Sequence, residues 1–185
     1  MKVWKRDALS EEFFTDARYE DMGRVRHVKF TQPESLRGQF PEGLRIVVES
    51  PRPPADYFKC GAMDVASEGL MRELAAHPGV KAEFFPVEVL TGKGGRVETQ
   101  FYCMHVLDRA DCFDFERSKF SVDEDGFIED IDKLVLDESK ALGHELFRVA
   151  NVDFVILCAS EPLAQRVSAG GFTGVKFFDP SELFW

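Results

Sequence analysis

Residues 154–180 read FVILCASEPLAQRVSAGGFTGVKFFDP, an order of residue types that predicts strand, helix, strand. The apolar run Phe154, Val155, Ile156, Leu157, Cys158 is rich in branched side chains that suit a pleated surface. Ser160 stands where a helix needs a cap, and Pro162 falls in the first turn, where its missing N–H costs nothing. Leu163 and Val167, four apart, share one face of that helix. Gly170 and Gly171 end it, because glycine adopts the left-handed conformation of a helix exit easily. Val175-Lys176-Phe177-Phe178 is then a second strand, opened by Gly174. The Gly-Phe-Thr-Gly turn before it asks for a conformation or a close backbone approach that a side chain would obstruct.

A looser copy of this unit comes earlier. Ser67-Glu68-Gly69-Leu70 matches Ser160-Glu161-Pro162-Leu163, and Gly79-Val80-Lys81 with Phe84-Phe85-Pro86 echoes Gly174-Val175-Lys176 with Phe177-Phe178 and Pro180. Two copies of unequal spacing are not a solenoid. They read as two similar supersecondary pieces that need a shared layer to cover their apolar faces.

The chain of 185 residues is long enough to bury a sizeable core, and 44% hydrophobic against 30% charged residues is the balance of a folded, soluble domain. It reads as one domain over 1–185, with residues 1–55 a candidate N-terminal elaboration and 56–185 the core. No apolar stretch approaches the roughly 20 residues that span a bilayer. The start, MKVWKRDALSEEFF, has basic residues without the apolar segment of a secretory signal, so the expected compartment is the cytoplasm. Cys60, Cys103, Cys112 and Cys158 form no Cys-x-x-Cys pair and read as reduced, packed thiols; with His27, His77, His105 and His144 equally scattered, no structural metal site is expected.

Other elements follow from pattern. Val3-Trp4 starts a strand, residues 9–14 suggest a short helix opened by Ser10, and residues 25–30 alternate like a strand. Residues 44–48 are a strand stopped by Pro51, Pro53 and Pro54, a cluster that reads equally as a linker or as a loop over one core. Ser67 caps a helix through about His77 with Leu70, Leu74 and Met71 turned inward. Residues 82–90 form a strand whose Pro86 argues for an edge or a bulge, and residues 97–107 return as its long antiparallel partner, apolar on both faces and therefore central. Asp123-Glu124-Asp125-Gly126 fits no calcium-loop register and reads as a solvated turn. Residues 134–136 and 145–149 complete the strands. The fold class is α+β: a mixed, largely antiparallel sheet with a few short helices packed on it.

These segments in order resemble a bacterial immunity-protein family. The likeness rests on Ala66-Ser67-Glu68 and its helix, Phe85-Pro86-Val87, Asp108 followed by Phe113-Asp114-Phe115-Glu116-Arg117-Ser118, Leu134-Val135-Leu136-Asp137, Leu146-Phe147-Arg148 and Gly171-Phe172-Thr173-Gly174-Val175-Lys176-Phe177. It covers roughly residues 60–180. The family was catalogued first as a domain of unknown function and then assigned to polymorphic toxin systems, since its members are encoded beside toxin genes. The resemblance implies a cytosolic protein that binds and neutralises a cognate toxin, without enzymatic activity, cofactor or catalytic residues.

Net charge is −10, and residues 108–153 carry 14 acidic against 6 basic side chains, which accounts for −8 of it. Such a surface disfavours direct nucleic-acid binding and attracts a cationic protein. Asp108, Asp111, Asp114 and Glu116 crowd into nine positions with Arg109 and Arg117 as their basic neighbours. They read either as a solvated loop or as the docking site for a basic toxin. Two competing functions remain. A small hydrolase would need a nucleophile, a base and an orienting group; no Gly-x-Ser-x-Gly, His-Glu-x-x-His or phosphate-loop spacing occurs, and Cys103 with His105 reads as a packed thiol beside a satisfied histidine before it reads as a dyad. A self-associating scaffold would use the edge at Phe84-Phe85-Pro86.

Overall fold

Strands in the first 110 residues do not lie in an open sheet: six of them close on themselves. In the computed structural model, which describes residues 1–152 and 154–183, the elements are β1 (Lys2–Arg6), β2 (Phe14–Tyr19), β3 (Arg45–Val48), β4 (Pro54–Cys60), β5 (Met63–Ser67), α1 (Glu68–Ala75), β6 (Ala82–Thr91), β7 (Phe101–Val106), β8 (Arg109–Ala110), β9 (Lys119–Val122), β10 (Ile128–Lys133), β11 (Leu146–Val149), β12 (Leu157–Ala159), α2 (Glu161–Ala169) and β13 (Val175–Phe178). The barrel order is β2-β3-β6-β7-β5-β4. β2 runs parallel to β4 and β3 parallel to β6, and the other barrel pairs are antiparallel. Closure removes the exposed edges an open sheet would present. A second sheet, β13-β1-β12-β11-β8, is antiparallel except for the parallel β11·β8 pair, and β9 with β10 makes a separate hairpin. The class is α+β, mostly sheet with two α-helices among the described residues; the closed barrel is an addition to the single mixed sheet expected.

Three apolar cores follow from strand alternation. Phe101 and Cys103 of β7 face the barrel interior with Phe58, Met63, Val65, Val87 and Ile46. Met104 and Val106, one residue out of phase, face a second core with Trp4, Tyr57, Leu70, Leu146, Leu163 and Val167, which joins barrel, helices and five-stranded sheet. β7 is central, between β5 and β6, and covered on both faces. The far face of the second sheet buries Val3, Phe147 and Cys158 under Phe113, Ile131 and Leu134. β1 is thus apolar on both sides, with Trp4 meeting Tyr57 and Phe177 edge-on at 5.4 and 5.1 Å.

The two serine-capped helices are structural counterparts. In each, a short buried strand (β5 or β12) runs into a serine whose Oγ accepts the amide of the leucine three residues on, Leu70 or Leu163, and the helix returns the chain to the next strand, β6 or β13. Both helices bury their leucines in the same core, and Glu73 pairs with Arg166 between them.

Several local expectations give way to tertiary context. Residues 9–14 form no helix: Ser10 Oγ accepts the Phe13 amide in a turn, and β2 begins at Phe14. Residues 25–30 form no strand but belong to the long loop 20–44, whose Val25, Phe30 and Leu36 plug the barrel; alternation there reflects anchoring, not pleating. Glu83, 7% exposed, fastens that loop by accepting from Ser35 Oγ at 2.6 Å and the Leu36 amide at 2.9 Å. The strand expected over 97–107 is confined to Phe101–Val106, and that expected over 154–158 to Leu157–Ala159. Leu136 contributes only an isolated bridge to Phe113, while the unforeseen β10 turns back on β9 through residues 123–127. Pro86 pairs with Tyr102 in the half of β6 that precedes its pairing with β3, so its missing N–H leaves no ladder bond unmade.

Gly174 joins sheet and barrel. Its φ is +78°, and a Cβ there would lie 2.1 Å from the Tyr57 carbonyl oxygen and 2.6 Å from the Ala55 Cβ. Asp56, beside them, accepts from the Thr173 amide and hydroxyl and from Ser67 Oγ, tying this turn to the α1 cap. Gly174→Ala is expected to cost more than about 2 kcal/mol, because strain and a backbone clash coincide. Chemical denaturation checks this; an unchanged midpoint would mean that β4 yields freely.

Candidate functional site

The four carboxylates singled out by sequence do not act as one group. Asp108 is 8% exposed and turned inward, taking Lys81 Nζ at 3.2 Å and His144 Nδ1 at 2.9 Å. Asp114 holds its own loop: it accepts the amides of Glu116 and Arg117 and pairs with the Arg117 guanidinium at 2.5 Å, the largest of the influences that hold its carboxyl below the usual range. Asp111 and Glu116 alone of the four are exposed. Beside them Phe115, half exposed, packs its ring against Phe113 and against Phe120 of β9. The hairpin therefore extends the same surface, with exposed Glu124, Asp125, Glu129 and Asp130, and with Val122 and Phe127 more than half exposed.

A second polar cluster, unforeseen from sequence, lies between the barrel and the second sheet. Asp64 of β5 is completely buried and receives Arg148 Nη2 of β11 at 2.5 Å, Tyr57 Oη at 2.6 Å and Lys59 Nζ at 2.8 Å. Burial pushes the Asp64 carboxyl up, but the charges of Lys59 and Arg148 and the bonds from Lys59 and Tyr57 outweigh it and bring the pKa down to about 2. Arg148 is 3% exposed, and its Nε and Nη1 have no partner among the described residues. The signal in the sequence is a single charge inside an otherwise apolar strand: Met63-Asp64-Val65-Ala66 and Leu146-Phe147-Arg148-Val149.

Arg148 also walls two clefts. One, of 300 Å³, lies among Trp4, Tyr57, Lys59, Val155 and Leu157. The other, of 360 Å³, lies among Thr31, Gln32, Arg109, Asn151 and Val155. Arg109 Nη2 donates to the Thr31 carbonyl, and its Nε is buried without a partner among the described residues.

Cys103 and His105 form no dyad. Cys103 lies in the barrel core, where burial pushes its thiol well up, and the His105 ring is held between the carbonyls of Phe30 and Glu34 at 3.3 and 2.8 Å. Phe84 packs against the inter-layer core and Phe85 stacks on Phe40 at 4.6 Å, which leaves both half-buried, with Pro86 exposed beside them. Among the described residues no three His, Cys, Asp or Glu side chains gather as a metal site would need, and no helix is long and apolar enough to cross a membrane.

Compared with known families, residues 9–182 match the model of the immunity protein family Imm11. The match begins at residue 9 and so takes in most of the first fifty residues, which lie outside the 60–180 span of the resemblance. No curated protein matches the chain.

The buried pair generates a prediction. Because the folded pKa of Asp64 lies below the ordinary aspartate value of about 3.9, its ionised state adds stability that is present in full above that value and is lost as pH falls from about 4 toward 2. Asp64→Asn should therefore cost on the order of 3–5 kcal/mol at neutral pH, by leaving Arg148 and Lys59 uncompensated, and should flatten the acid unfolding curve below about pH 4. Asp64→Leu combined with Arg148→Met should cost less than the sum of the two. Strict additivity in urea unfolding would show that the pair does not couple the layers.

Proposed function

Because the chain belongs to the Imm11 immunity protein family, we propose that it acts in the bacterial cytoplasm by binding and neutralising a cognate toxin, holding it without chemical change. Family membership carries this reading. Strands from either side of the proline cluster share one barrel, which supports taking the first 55 residues as part of the binding unit. The docking face is the acidic surface of residues 111–130. Exposed Asp111, Glu116, Glu124, Asp125, Glu129 and Asp130 surround the exposed apolar side chains Phe115, Val122 and Phe127, which suits a basic partner that also buries apolar anchors. Asp108 and Asp114 serve this face indirectly, by fixing the loop that displays it.

Charge steers the encounter and the aromatic side chains retain the partner. Replacing Asp111 with Asn and Glu116 with Gln should slow association with the toxin encoded beside the protein by up to about tenfold at low salt, with the loss shrinking once screening reaches about 8 Å. Stability should stay within about 0.5 kcal/mol, since neither side chain supports the fold. Phe115→Ala should instead speed dissociation. Surface plasmon resonance at two ionic strengths separates these effects; association unchanged in the double variant at low salt would remove the acidic surface from the docking site.

A further inference from the structure

An arginine buried to 3% exposure has few ways to keep its donors satisfied. Arg148 spends Nη2 on Asp64, which leaves Nε and Nη1, on opposite flanks of the guanidinium, without partners among the described residues. Leaving a buried charged donor unpaired is costly, so such donors mark a place that receives an acceptor, water or ligand. A second guanidinium lines the same 360 Å³ cleft: Arg109, whose Nε is likewise buried and unpaired. The two cations feel each other. Burial first, and then the charge of Arg148, lowers the proton affinity of Arg109, and the charge of Glu34 offsets part of this.

We propose that this cleft binds a small organic oxyanion, a carboxylate or a phosphate monoester, with Arg148 as the buried anchor and Arg109 as the second cation. Water satisfies stray N–H groups but only screens the repulsion between two guanidiniums; an anion between them satisfies donors and offsets charge together, through charge-assisted hydrogen bonds. Asp64 reaches Arg148 from the barrel, through Nη2, and leaves the other donors of the guanidinium free of it. Thr31, Gln32 and Asn151 offer neutral hydrogen-bonding groups, and Val152 and Val155 give an apolar wall for a carbon frame. Asn151 holds a left-handed backbone, φ 52°, at this wall, the kind of strain that collects at binding sites. The volume falls at the small end of ligand pockets. The net charge of −10 repels long polyanions, so selection favours a compact ligand over a nucleic-acid backbone.

The test uses the isolated full chain, so its failure leaves toxin binding untouched. Inorganic phosphate and, separately, succinate are titrated at constant ionic strength against sodium chloride, following the arginine Nε–H resonances and the melting temperature. The expected result is that the Arg109 and Arg148 signals move together along one saturating curve, that the melting temperature rises with the logarithm of ligand concentration, and that Arg109→Gln weakens binding roughly tenfold while Arg148 still reports it. Response to phosphate alone or to succinate alone assigns the headgroup. Signals that stay fixed, that follow chloride equally, or that saturate at the same concentration in the Arg109→Gln variant overturn the proposal.

Discussion

The bond between Asp64 and Arg148 is the constraint around which the two sheets are arranged. One member stands on a barrel strand and the other on a strand of the second sheet, and both are almost completely buried. Two charges taken from water repay their desolvation only when geometry is good and other bonds complete them. Here Tyr57 and Lys59 complete the carboxylate, while the guanidinium stays incomplete on two flanks. The barrel cannot rotate against the sheet without stranding a charge, so the pair fixes how the layers face each other even where its net stabilisation is small.

Neighbouring contacts reinforce the same registration. Gly174 presses its backbone on β4, Asp56 joins the Thr173 turn to the α1 cap, and Trp4 packs between Tyr57 and Phe177. The paired helices then roof this junction with Leu70, Leu74, Leu163 and Val167. The clefts at Arg148 open at the edge of the junction, and the acidic hairpin covers the core on the far face of the second sheet, a core that Val149 and Val152 of the larger cleft also join.

How much of this could be read in advance depended on the range of the interaction. Helix caps and exits are local chemistry, and the equivalence of the Ser67 and Ser160 units was visible because capping acts within three residues. The centrality of β7 was visible because both faces are apolar. Barrel closure was not, since whether β2 and β4 meet depends on twist and on a loop that fills the interior. Residues 25–30 misled for the same reason: apolar spacing in a plug imitates a strand. For the acidic loop, composition gave the charge but not its direction, as the fate of Asp108 hangs on Lys81 and His144, distant in sequence. Asp64 and Arg148 left a trace, lone charges in apolar strands, but their partnership across 84 positions did not.

An immunity protein that works by occupation needs a stable scaffold and a surface with charge and apolar anchors; in the proposed reading barrel and sheet are the scaffold and the acidic hairpin is the surface. The most direct test is native mass spectrometry of this chain mixed with the toxin encoded beside it, followed by denaturing mass measurement of each component. The account predicts a stoichiometric complex from which both chains emerge with unaltered masses. No complex, or a toxin returned with a changed mass, would contradict neutralisation by binding alone.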